Sequence, residues 1–257
     1  MPIEILSNGV RINYQTFKGG NKWIVFVHHL AGSIKSWKFV YPAFMNNYNI
    51  LVYDLRGHGL SSVIPGEYLI EDHSQDLKSL LELNDIKDPI LIGHSIGTLI
   101  SIDYSISNSI DKLILIGALY KAPNPDPYRK YVEIALSLGM EALLNYRRAQ
   151  NEFSATLTNN PTAWTSLLEL YREMNPLGYK YTVDGMLKAK DYSKELHKIG
   201  VPTLIVYGSE DKLIINKDVF HDNIKNSRIE IMNGYGHYLN FETPEALASI
   251  IRDFISH

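Results

Sequence analysis

The chain has 257 residues, 45% hydrophobic and 21% charged, which is enough for one sizeable core and ordinary for a globular domain. Its formal charge of −3 comes from 25 basic and 28 acidic side chains spread along the chain, so no basic footprint for nucleic acid or an anionic membrane stands out. Cysteine is absent, which excludes disulfides, thiolate metal sites and thiol nucleophiles. No apolar run approaches the roughly 20 residues of a membrane span, and the opening Met1-Pro2-Ile3-Glu4 lacks the charged-then-apolar pattern of a leader. A cytoplasmic protein without a membrane partner is expected.

In chain order, Ile3–Leu6 and Val10–Thr16 flank Ser7-Asn8-Gly9 and predict a β-hairpin turning at Asn-Gly. Six short runs follow, at Trp23–Val27, Ile50–Tyr53, Ile90–Ile92, Leu113–Ile116, Thr203–Tyr207 and Ile229–Met232. Nearly all their residues are apolar, as in central parallel strands covered on both faces. Helices are predicted at Ser36–Met45, Asp72–Leu83, Ile96–Ser107 and Lys217–Ile224. A last helix carries the start signals Thr243 as N-cap, Pro244 and Glu245, and its residues Leu247, Ile250, Ile251 and Phe254 are spaced to face the sheet. The pattern predicts an α/β fold with eight strands, mostly parallel, and helices on both faces.

From about Tyr120 to Lys198 no strand-like run occurs. The segment opens with Pro123-Asn124-Pro125-Asp126-Pro127, whose prolines are expected to prevent a regular helix there. It reads as a helical cap, residues 120–198, inserted after the sixth strand, with residues 1–119 and 199–257 forming the core.

Gly93-His94-Ser95-Ile96-Gly97 lies between a strand and a helix, where G-x-S-x-G forces serine into a strained turn above the sheet. A side chain at Gly93 or Gly97 would collide with neighbouring backbone as the chain reverses. His94 adjoins the serine, but neighbouring side chains diverge, so it is a poor base. His237 follows Gly234-Tyr235-Gly236 on the loop between the last strand and the Thr243 helix, reaches the same rim and is the expected general base. Asp211, after the seventh strand, is the expected partner that orients its imidazole, with Glu210 as the immediate competitor. Acyl transfer also needs two N–H donors for the oxyanion; Ile96 and Leu30 are the expected pair. His28 and His29 either touch substrate or shape this loop by local hydrogen bonds.

At this point the sequence resembles the α/β-hydrolase superfamily along nearly its whole length. The matching pieces are Val27-His28-His29-Leu30-Ala31-Gly32-Ser33, Asp54-Leu55-Arg56-Gly57-His58-Gly59-Leu60-Ser61, Gly93–Gly97, Val201–Asp211 and Gly236–Pro244. It looks most like small capped serine hydrolases such as carboxylesterases and 3-oxoadipate enol-lactonases, the latter also through Asn175-Pro176-Leu177-Gly178-Tyr179. The resemblance implies the α/β-hydrolase fold and a serine triad acting on a small-molecule ester or lactone, with no cofactor and no metal. Asp54 to Ser61 resembles the superfamily's structural turn and is given no catalytic role. Two departures stand out. His29 replaces the usual glycine after His28, and Thr98 replaces a frequent glycine after the elbow.

Other readings keep the same residues. The triad also serves carbon–carbon bond hydrolases and cofactor-free perhydrolases, and a non-catalytic ligand receptor on this fold would not need all three groups. Arg147, Arg148 and Arg172 are candidates to meet a substrate carboxylate, against solvated surface charge as the ordinary alternative.

Overall fold

Strands form where β-branched and leucine side chains run together. In the computed structural model, which describes residues 3–6 and 8–256, these are β1 (Ile3–Ile5), β2 (Arg11–Phe17), β3 (Trp23–Val27), β4 (Asn49–Tyr53), β5 (Ile90–His94), β6 (Lys112–Ile116), β7 (Thr203–Gly208) and β8 (Ser227–Met232). They make one sheet in the order β1-β2-β4-β3-β5-β6-β7-β8. β2 runs antiparallel to β1 and β4, and every later pairing is parallel. The expected hairpin is closed by Leu6 N–H to Val10 O and Gly9 N–H to Leu6 O, both 2.9 Å, while Ser7 of its turn lies outside the described residues.

The helices are α1 (Ile70–Leu83), α2 (Ile96–Ser107), α3 (Pro125–Leu138), α4 (Met140–Ala149), α5 (Ala155–Thr158), α6 (Pro161–Glu173), α7 (Pro176–Met186), α8 (Lys217–Asn223), α9 (Leu239–Glu242) and α10 (Pro244–Ser256). Strand alternation divides the core in two. Val25, Val27, Leu91, Leu113, Leu115 and Ile205 pack with α1, α2 and α8, whereas Ile24, Phe26, Ile92, Ile114, Ile116 and Val206 pack with Trp37, Phe44 and α10. In α10 the expected stripe is present: Leu247 and Ile251 are buried, and Ile250 and Phe254 pack at the edge of the same cluster.

α3 to α7 all lie between β6 and β7, and their apolar faces form a third cluster with Ala31, Tyr238 and Phe241 of the sheet's rim. Asn160 and Asn175 start α6 and α7 by accepting backbone N–H bonds, with proline next in each case.

Two expectations are corrected. The helix predicted over Ser36–Met45 is instead two short 3-10 turns, Ile34–Trp37 and Tyr41–Phe44. Pro42 disfavours a helical conformation at Tyr41 and has no N–H for a continuing ladder. The proline run at 123–127 does not block a helix. α3 begins at Pro125, so Pro125 and Pro127 occupy its first turn, where N–H groups lack intrahelical acceptors anyway.

Ile114 is fully buried at the centre of the second layer. Its replacement by alanine is expected to cost about 2–5 kcal/mol through lost contacts and the cavity left behind. Urea denaturation of Ile114→Ala measures this directly.

Candidate active site

The chain reverses between β5 and α2 at Ser95, whose φ of 57° and ψ of −120° are strained for a residue with a side chain. Neighbours hold it there. Ser95 N–H donates to Ile116 O at 2.9 Å, and Thr98 N–H and Oγ1 both donate to Ser95 O, at 2.8 and 2.6 Å. Thr98 Oγ1 also accepts from Leu119 N–H at 3.0 Å, so the threonine in place of a glycine ties the elbow to the chain beyond β6. A Cβ on Gly93 would stand 2.4 Å from Gly97 O, and one on Gly97 would stand 2.4 Å from Val27 O. Both glycines are required by close approach, as the sequence suggested.

β7 ends at Gly208, directly before the Ser209-Glu210-Asp211 turn, and the last strand leads into the loop that carries His237. Asp211 is 4% exposed. Its Oδ1 accepts from Leu213 N–H at 2.9 Å, and its Oδ2 lies 2.8 Å from His237 Nδ1. Glu210, the competing carboxylate, is exposed and makes no hydrogen bond to the imidazole. Ser95 and His237 line the same cavity without a direct hydrogen bond between them. Nucleophile–base contacts commonly tighten only when substrate is bound.

Sequence reasoning missed Gly117. It follows β6 with φ of 54°, and a Cβ there would lie 2.7 Å from His237 Cε1, 2.8 Å from Nδ1 and 3.0 Å from Asp211 Oδ2. The bare backbone at 117 is what lets the His–Asp pair lie across the end of β6, next to the Ile116 carbonyl that holds Ser95. A glycine at a strand end is too common for its role to be read from the sequence. His94, which the sequence marks as a poor base, is engaged by the same loop. Its Nε2–H donates to His237 O at 2.9 Å, and the two rings sit 4.9 Å apart.

In the loop after β3, Ala31 N–H donates to His58 Nε2 at 3.2 Å, Gly32 N–H to His29 O at 2.9 Å and Ser33 N–H to Ser36 Oγ at 3.1 Å. Leu30 N–H has no acceptor among the described residues, and Ile96 N–H opens α2 before the first intrahelical bond. His28 and His29 shape this loop. Each donates from Nδ1 to a backbone carbonyl, His29 O at 2.8 Å and Leu30 O at 2.9 Å. Their Nε2 atoms accept, His28 from Leu55 N–H at 3.0 Å and His29 from Ser36 Oγ at 3.2 Å. His58 works in the same way, with Nδ1 to Arg56 O and Nε2 to Ala31 N–H. Asp54, given no catalytic role, accepts from Ile34 N–H, Leu60 N–H and Asn13 Nδ2 at 2.6–2.9 Å, which anchors the same loop to its neighbour. Burial pushes the pKa of His29 down to about 3 and that of His58 to about 4, and lowers those of His28, His73 and His94 well below the usual range.

The cavity above Ser95 has a volume of about 640 Å³. Its floor includes Ser95, His237, His29 and Leu30, and its walls include Tyr128, Tyr131, Tyr146, Tyr179, Tyr238, Arg147 and Glu152. Arg147 is not the surface charge that the sequence suggests by default. Its side chain is 20% exposed, its Nε donates to Glu152 Oε2 at 2.8 Å and it also bonds Tyr171 Oη. Tyr131 Oη donates to the other Glu152 oxygen at 2.5 Å. Arg172 instead pairs with Glu141 in solvent, and Arg148 lies over Trp164.

A parallel sheet in this strand order, with loops from β5, β7 and β8 meeting at its C-terminal rim, defines an α/β-hydrolase. An enol-lactonase from Burkholderia xenovorans LB400 shares this fold over 100% of both chains, with TM-score 0.92 and 22% identity. A thermophilic esterase from Thermogutta terrifontis does so over 97% of this chain and 95% of its own, with TM-score 0.88 and 21% identity. Within that class the chain belongs to the family described as serine aminopeptidase, S33, whose family model matches residues 21–244. It is a hydrolase by membership. A proline iminopeptidase from Saccharolobus solfataricus is 29% identical across 96% of this chain and 89% of its own. No helix of the described residues is long and apolar enough to cross a membrane.

Gly117→Ala should leave the protein folded yet lower kcat/KM by about a hundredfold, because a methyl group there displaces the imidazole. Steady-state kinetics with circular dichroism as a folding control tests this. Acid sensitivity follows from the buried histidines. Their folded-state pKa values lie below the unfolded value near 6.5, so their contribution is complete above about pH 6.5 and is lost as pH falls towards 4 and 3. Each such group removes about 1.4 kcal/mol per pH unit within its window. Tm is therefore expected to drop steeply between pH 6.5 and 4.5; a flat Tm there contradicts the assignment of these rings as neutral acceptors.

Proposed function

We propose that this protein hydrolyses a small carboxylic ester or lactone through an acyl-enzyme on Ser95. The observation that carries the reading is the 2.8 Å contact between His237 Nδ1 and Asp211 Oδ2, laid across Gly117 beside the strained serine. In this cycle Ser95 Oγ attacks the acyl carbon while His237 Nε2 takes its proton. The N–H groups of Leu30 and Ile96 receive the oxyanion. His237, now an imidazolium steadied by Asp211, protonates the leaving alcohol, and water activated by the same ring releases the acid. Residues 120–198 act as a cap over the core formed by 1–119 and 199–257, and their side chains select the substrate.

The family description and the iminopeptidase relative favour a second reading, cleavage of an amide next to a free amino group. Such a substrate needs a carboxylate in the cavity to meet its ammonium. Apart from Asp211, the most buried carboxylate on the cavity wall is Glu152, and it already serves Arg147 and Tyr131. Asp126 and Glu210 are exposed at the mouth. This supports the ester or lactone, as does the likeness to an enol-lactonase and an esterase.

Ser95→Ala should abolish turnover and fluorophosphonate labelling without altering Tm by more than a few degrees. Asp211→Asn is expected to reduce kcat by up to about 10⁴-fold, through loss of the imidazole tautomer it selects. Glu210→Gln should change kcat little; a large loss there reverses the assignment of the acid. A panel of p-nitrophenyl esters, lactones and proline p-nitroanilide separates the two readings, and faster turnover of the anilide than of every ester would sink the first.

A further inference from the structure

Glu242 ends α9 and is only 8% exposed. A carboxylate removed from water is costly unless its lone pairs are met. Here four neutral donors meet them. Oε2 accepts from Gly236 N–H at 2.8 Å, from Ser154 Oγ at 2.6 Å and from Thr156 Oγ1, and Oε1 accepts from Tyr238 N–H at 2.9 Å.

The identity of the donors matters more than their number. Gly236 and Tyr238 flank His237, so one carboxylate grips the backbone on both sides of the imidazole. His94 holds the carbonyl of residue 237 itself. With the main chain pinned fore and aft, the ring is left only its side-chain torsions, and Asp211 restrains those. The other two donors come from elsewhere. Ser154 is the N-cap of α5 and Thr156 lies in its first turn, both in the helical segment between β6 and β7. That segment touches the loop directly, since a Cβ on Gly236 would lie 2.8 Å from Ser154 Cβ.

We propose that Glu242 is a positioning residue for the general base. It sets the backbone of His237, and its bonds to Ser154 and Thr156 make that setting depend on the helical segment being seated against the core. The proposal rests on the reading of His237 as base. The carboxylate is not interchangeable with its amide, because glutamine would turn an NH₂ group towards either Gly236 N–H or Tyr238 N–H, leaving donor against donor.

The test compares wild type, Glu242→Gln and the double variant Ser154→Ala/Thr156→Val by two measurements. One is the downfield proton resonance of His237 Nδ1–H, which needs no substrate. The other is kcat and KM on p-nitrophenyl acetate. Glu242→Gln is expected to broaden or displace the resonance and to lower kcat by about a hundredfold, the scale of a misplaced catalytic group, with KM changed less than about threefold. The double variant, which leaves both backbone N–H bonds intact, should move both readouts in the same direction by less. It carries the test if Glu242→Gln does not fold. An unmoved resonance with wild-type kcat in the folded variants, even at a lowered Tm, overturns the proposal and leaves Glu242 a purely structural group. A wild type that shows the resonance but turns over no ester defeats the proposed activity instead, and Glu242 is then judged on the resonance alone.

Discussion

The site depends on what is missing at residue 117. The parallel strands deliver three loops to one rim, but parallel delivery alone puts side chains beside one another without making them face. His237 reaches Asp211 because the end of β6 offers backbone and no Cβ, and the neighbouring Ile116 carbonyl holds Ser95 N–H at the same place. A contact of 2.8 Å between imidazole and carboxylate therefore depends on a residue that contributes no functional group. The strain at Ser95 has the same origin, in that the serine is held by bonds to β6 and to Thr98 rather than by its own preference.

Around the loop after β3, polar groups are buried in number, and the loop keeps its shape because each ring nitrogen there has one assigned partner. His28, His29 and His58 all carry the proton on Nδ1 and accept on Nε2. His29 is part of this pattern, since it reaches Ser36 and packs edge-on against Tyr238. Such networks specify one conformation when every member is satisfied. The same satisfaction ties the loop's geometry to the protonation state of rings that are far from solvent.

Much of this was legible in the sequence. The central strands are readable because strands buried on both faces become continuous apolar runs, and Ser95, Asp211 and His237 are readable because they follow such runs in a fixed order. The failures also have physical causes. Apolar spacing over Ser36–Met45 does not distinguish an α-helix from two 3-10 turns, and the proline at 42 decides it. Prolines at 125 and 127 look like breakers until their place in a first turn is known. Arg147 looks like any charged residue on a helix, because burial between Glu152 and Tyr171 depends on partners distant in sequence or on other elements. Glu242 is the plainest case. Its four donors come from one loop and one helix start, and no local pattern announces a carboxylate whose partners are all neutral.

The placement of α3 to α7 has a consequence for how this architecture can diversify. β6 and β7 are parallel hydrogen-bonded neighbours, so the chain leaves the sheet at the rim that carries Ser95 and crosses back to the opposite end before β7 begins. The register of β6 on β7 is set by their own ladder, so the part of the excursion that stays above the rim can change length or content while that register stays as it is. The wall facing the serine is thus a replaceable module, whereas the floor is locked by the sheet. Any such module must still cover Ala31, Tyr238 and Phe241 and present hydroxyls, or some equivalent donors, to Glu242 beside the loop that carries His237.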